Sequence, residues 1–128
     1  MDAFLEQSFN IVDKYQFIFL SFIDVSLRIP EIRKQYVQIN KKRQDEFKQV
    51  FRVYMAKGFF RKDLNEHILT LLVNNIFILN DFWHSYNTIC LGMKGKKALT
   101  QYKQAFQSLF FPYLTPGGMQ FFGLKKWY

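Results

Sequence analysis

Two histidines and one cysteine are the side chains of this sequence best suited to acid–base, nucleophilic or metal chemistry, and their spacing supports none of these. His67 and His84 stand far apart, with no cysteine or carboxylate cluster at ligand spacing, and Cys90 has no neighbours that would activate a thiol. No phosphate-cradling glycine loop and no nucleophile elbow occurs. The reading is a protein that is not an enzyme and carries no metal or cofactor, with His67, His84 and Cys90 in structural roles. Polar residues inside apolar helical patterns are more informative. Ser21 and Asp24 fall on the face of Phe17 and Leu20. A carboxylate there must be paired with a neighbouring Arg or Lys, face water, or line a cavity. Asn74, Asn75 and Asn80 read first as hydrogen-bonding groups between helices and second as groups that orient a ligand.

Helices must position these groups, because apolar residues recur at intervals of three and four and no stretch shows sustained alternation. Phe4, Leu5, Phe9 and Val12 define a first helix over residues 2–12. Residues 14–28 are apolar nearly all round, which predicts a central helix. Pro30 and Glu31 suit a helix start. From there Ile32, Tyr36, Ile39, Phe47, Val50, Phe51 and Tyr54 form a stripe, interrupted at Arg43, that ends at Gly58. The run Asp63-Leu64-Asn65-Glu66 resembles a capping box with Asp63 as cap, and predicts a fourth helix of about 27 residues. Leu72, Ile76 and Leu79 belong to its stripe, while Val73 and Phe77 add a further apolar side, so it should pack against two layers. A fifth helix over residues 96–111 carries Leu99, Tyr102, Phe106, Leu109 and Phe110 until Pro112 breaks it. Gly117-Gly118 then permits a turn, and the sequence leaves open whether Phe121, Phe122, Trp127 and Tyr128 dock.

Composition agrees with a single all-α domain over 1–128. The chain of 128 residues is 49% hydrophobic and holds 16 Phe, 7 Tyr and 2 Trp, ample material for one core, with a surplus that can line a cavity or an interface. Its net charge of +8 favours anionic partners without specifying one. Lys41, Lys42, Arg43 and Lys94, Lys96, Lys97 are local concentrations that solvated helix faces explain. The single cysteine excludes an internal disulfide, and the first residues lack a signal-peptide pattern, so a reducing cytoplasm is expected. The apolar stretches 15–23 and 69–79 are shorter than the roughly 20 residues a membrane span needs.

The aromatic run Tyr15-Gln16-Phe17-Ile18-Phe19-Leu20-Ser21-Phe22, then Asp24, Pro30-Glu31-Ile32-Arg33 and the long helix to Gly58, is similar to one subgroup of TetR-family C-terminal domains. The resemblance continues through Ala56-Lys57-Gly58-Phe59-Phe60-Arg61-Lys62-Asp63, Asn75-Ile76-Phe77, Phe82-Trp83 and Phe111-Pro112-Tyr113-Leu114-Thr115, covering about residues 15 to 118. It implies an all-helical regulatory domain of about five helices whose last two long helices pair with those of a second subunit as a four-helix bundle. On that pattern Leu72, Ile76, Leu79, Tyr102, Phe106 and Leu109 are expected at the homodimer interface. Phe17, Ser21, Asp24, Phe51, Tyr54, Phe77 and Trp83 are expected around a pocket for a small apolar or aromatic effector. A full regulator of this family begins with a helix-turn-helix that reads DNA. That half is expected to be absent from this chain, so DNA would be reached only through another segment. The competing expectations are a basic helical module that binds nucleic-acid phosphates through the two lysine-rich clusters, and a protein-interaction module, a helical adaptor with a filled core and no ligand.

Overall fold

Three of the helices begin where a specific residue satisfies or dispenses with a backbone donor. The computed structural model describes residues 2–124, without the side chains of Asp2, Gln16, Phe17, Phe19 and Leu20. Among the described residues the elements are α1 (Asp2–Lys14), α2 (Gln16–Arg28), α3 (Pro30–Ala56), α4 (Glu66–Tyr86), α5 (Gly95–Phe110) and α6 (Pro116–Phe121). A π-helical turn, Asn87–Leu91, prolongs α4, and a 3-10 turn, Phe111–Tyr113, follows α5. The all-α class read from the periodicity is the class this chain adopts.

Three starts use proline or a side-chain cap. Pro30 occupies the first turn of α3, and Gly58, at φ +80°, takes the left-handed conformation just past its end. At α4 the cap is Asn65, whose side chain accepts the Ile68 amide at 2.9 Å. The expected capping box is therefore displaced by one turn's edge: Asp63 pairs with Arg61 at 2.6 Å instead, and Glu66 pairs with Arg52 at 2.9 Å. Asparagine wins because its carbonyl reaches the donors two and three residues on without giving up an ion pair. Thr115 caps α6, accepting the Gly118 amide at 3.0 Å, and Pro116 follows it.

α4 is the centre of the molecule. It contacts α1, α2, α3 and α5, and Leu69, Leu72, Val73, Ile76, Phe77 and Trp83 are all buried along it. α3 runs antiparallel to it, with Arg52 against Glu66 at one end and Tyr36 against Asp81 at the other. α5 returns along the opposite side, placing Tyr102 beside Asn80. α1 lies across both, inserting Leu5, Phe9 and Val12. The central role expected for residues 14–28 belongs to α4. α2 lies at the periphery: Ile18, Ile23 and Leu27 are exposed, and only Phe22, Val25 and Ser26 among its described side chains are half-buried.

A C-terminal clasp closes the fold. Phe60 and Leu114 form an isolated antiparallel bridge, the Arg61 amide donates to the Tyr113 carbonyl at 2.8 Å, and the Thr115 amide donates to Phe59 at 3.0 Å. Gly117 and Gly118 do not form the expected turn but lie within α6. Gly118 is required by proximity, since a Cβ there would sit 1.9 Å from the Phe59 carbonyl oxygen. Backbone on both sides leaves no flexible atom to yield. Gly118→Ala is expected to destabilise the protein by about 1–3 kcal/mol in urea unfolding, whereas Gly117→Ala, which meets only contacts of 3.8 Å and beyond, should cost far less.

Candidate functional site

A cavity of about 700 Å³ opens between α1, α3 and the clasp. Its floor is made by Phe51, Phe60, Ile76, Phe106 and Phe110, all buried. The walls add Phe47, Tyr54 and Phe122. Phe4, Val50 and Phe121 also line it and are about half exposed, at 51%, 48% and 56%, so they mark its mouth. α3 presents Phe47, Val50, Phe51 and Tyr54 because spacings of three, four and seven bring them to one face. The clasp presents Phe121 and Phe122 because α6 is bolted to the α3–α4 loop. Phe121 stacks on Phe59 at 4.1 Å, and Phe122 meets Tyr54 edge-on at 5.3 Å.

Beyond the floor lies a second, polar and aromatic knot. The Tyr36 hydroxyl donates a short hydrogen bond to the buried Asp81 carboxylate, Asn80 donates to the same carboxylate at 3.2 Å, and Tyr102 donates to Asn80 at 2.8 Å. Burial, then the bond to Asp81, push the Tyr36 hydroxyl far above its usual pKa. Burial first and the Asp81 charge second push Tyr102 up to about 12. Both tyrosines therefore serve as donors and not as acids near neutrality. Phe9, Trp83, His84 and Tyr102 pack ring against ring beside them, with Phe9 and His84 at 4.9 Å. His84 is 3% exposed and its Nε2 has no hydrogen-bond partner among the described residues. Burial pulls the imidazole below its ordinary pKa, only partly offset by Asp13.

The expected pocket residues divide between these regions. Phe51 and Tyr54 line the cavity. Phe77 stands one layer behind, edge-on to Phe47 at 5.1 Å and covered by the Arg43 guanidinium at 4.9 Å, which accounts for the arginine interrupting the α3 stripe. Trp83 belongs to the knot. Ser21 and Asp24 are exposed on α2, where Asp24 pairs with Arg28 at 3.0 Å. The side chain of Phe17 lies outside the described residues. Of the residues expected at the dimer interface, Leu72, Ile76, Tyr102 and Phe106 are buried within the single chain, Ile76 and Phe106 on the cavity floor. Leu79 and Leu109 are half-buried against the core. Phe4, Phe47, Val50, Phe60, Phe110, Phe121 and Phe122 line the cavity without having been expected there, as do Ile76 and Phe106, which were expected at the dimer interface. For Phe121 and Phe122, the Thr115-Pro116 pair that starts α6 was the available signal.

Chemical groups for catalysis are absent from the cavity wall, and among the described residues no three His, Cys, Asp or Glu gather as a metal site. No helix among them is long and apolar enough to cross a membrane. A family model for TetR, bacterial transcriptional repressor, matches residues 1–122, and the chain belongs to that family, whose members are regulators of transcription. Comparison with curated proteins and with solved structures gives no match.

Tyr36→Phe strips a donor from a buried carboxylate and is expected to cost about 1–3 kcal/mol in denaturant unfolding, while Asp24→Asn, which breaks an exposed pair, should change stability by less than about 0.5 kcal/mol. His84 is held neutral in the fold and takes up its proton on unfolding. Stability is thus complete above the ordinary histidine value of 6.5 and declines as pH falls below it. The unfolding midpoint should fall as the pH drops below about 6.5, and His84→Leu should flatten that slope. An unchanged slope in the variant would refute the assignment.

Proposed function

We propose that this chain is the effector-sensing and dimerization domain of a TetR-type transcriptional regulator, and that DNA is read by a segment other than the helices described. The observation that carries this reading is the aromatic cavity walled by α1, α3, α4, α5 and α6, within a chain that belongs to a repressor family. A molecule entering it touches the ends of the helices that hold the core together, so its binding energy bears on their relative positions.

The connections support the division of labour. α1, α2 and α3 are separated by one residue each, Tyr15 and Ile29. A helix-turn-helix instead joins its two crossing helices through a turn of about three or four residues. The short turn at residues 92–94 joins α4 and α5, which run back along each other, with Ile76 and Phe106 on one cavity floor and Asn80 bonded to Tyr102. The basic cluster on α3 is partly engaged within the molecule, since Arg43 covers Phe77.

One face of α4 is left bare by its own chain and is open to a homodimer partner. Leu71, Ile78, Tyr86 and Ile89 are 48%, 58%, 56% and 80% exposed, and with half-buried Phe82 they fall on one stripe along α4 and its π-helical extension. We assign this stripe to a second copy of the chain. Light scattering behind a sizing column should give a particle of twice the 15.5 kDa chain mass, and Ile78→Asp should reduce it to a monomer with unchanged helicity. A wild-type protein that stays monomeric at high concentration would refute the dimer.

A further inference from the structure

The composition of the cavity wall identifies the chemical class of its ligand, an inference that rests on the effector-sensing reading above. Eight of the eleven lining side chains are phenylalanine, two are Val50 and Ile76, and the remaining one is Tyr54. None carries a charge. An ionised ligand group on the floor would lose its hydration with no counter-charge to replace it, a loss that such sites cannot recover. Phenylalanine rings present both faces and edges, and they meet other rings in tilted and edge-on arrangements. The wall already does this with itself: Phe51 meets Phe60 edge-on at 5.0 Å, and Phe106 meets Phe110 edge-on at 5.7 Å. A flat ring system entering the cavity continues that pattern, where a saturated skeleton gains only area. The Tyr54 hydroxyl has no hydrogen-bond partner among the described residues and is the one polar side-chain group of the wall. It can satisfy a single hydroxyl, amine or carbonyl. The volume of about 700 Å³ suits a molecule of a few fused rings.

We propose that the cavity binds an uncharged polycyclic aromatic molecule with one hydrogen-bonding group, entering at Phe4, Val50 and Phe121. The test uses the full chain and N-phenyl-1-naphthylamine, an uncharged aromatic probe that fluoresces in apolar surroundings. Saturable binding is expected, weakened at least about tenfold by Val50→Trp, whose indole would obstruct the mouth. Val50 is half exposed, so this variant should keep its fold, and circular dichroism checks that it does. The same ring system bearing a sulfonate, 8-anilinonaphthalene-1-sulfonate, should bind at the Val50→Trp-sensitive site at least about tenfold more weakly. In displacement, 2-naphthol should act at clearly lower concentration than decahydro-2-naphthol, which has the same skeleton and hydroxyl without the aromatic rings. Equal or tighter mouth-dependent binding of the sulfonate, or equal displacement by the saturated alcohol, overturns the ligand class while leaving the cavity as an effector site. If binding of both probes is indifferent to Val50→Trp, the ligand class and the effector-site reading fall together.

Discussion

Everything in this molecule depends on covering α4. A helix whose apolar residues occupy more than one face cannot rest on a single neighbour, and each large side chain left in water forgoes about 1.5–3 kcal/mol. α1, α2, α3 and α5 all pack against α4, and Leu69, Leu72, Val73, Ile76, Phe77 and Trp83 are buried along its length. The lengths of α3 and α5 follow from this requirement, since both must run beside α4 for most of its course. So does the tight loop at residues 92–94, where the Asn87 amide group bonds to both the nitrogen and the oxygen of Met93, at 3.0 and 2.9 Å, and turns the chain back.

The two ends of α4 are filled differently. At the end of Asn80, Asp81 and His84, hydrogen bonds and stacked rings leave little room, and a buried carboxylate tied to Tyr36 holds α3 against α4. Toward its start the filling is nearly all aromatic and incomplete. Rings are wide and stiff, so when three helices and the clasp converge at an angle they touch at edges and leave space between. Thr115, which caps α6 and also donates to the Gly58 carbonyl at 2.5 Å, fixes the last wall of that space. Under the effector reading proposed above, a ligand there would act on a part of the core that is less completely filled than the rest, which is where small binding energies can move helices.

Much of this was legible in the residues, though unevenly. The start of α3 at Pro30, its end at Gly58, the stripe containing Phe51 and Tyr54, and the break at Pro112 are local signals, each acting within a turn or two of chain. Asp24 shows the limit of that kind of reading: sharing a face with apolar neighbours made it a pocket candidate, yet α2 sits at the edge and Arg28, one turn away, neutralises it at the surface. The buried carboxylate is instead Asp81, two residues before Trp83 and tied to Tyr36 across the bundle.

The sequence by itself determined the all-α class, most helix boundaries, the aromatic character of the interior and the absence of a recognisable catalytic or metal motif, because these depend on side-chain chemistry and on spacing within one helix. Its similarity to TetR-family regulators was also carried by runs of contiguous residues. Only the tertiary structure decided which of two apolar helices is central, that Ile76 and Phe106 face a cavity inside the chain, and that the final phenylalanines close it. Those outcomes turn on which faces meet across the bundle and on how completely rings from different helices fill the space between them. Neither is a property of any single segment, since an apolar residue at helical spacing looks the same whether it meets its own core, a ligand or a second subunit.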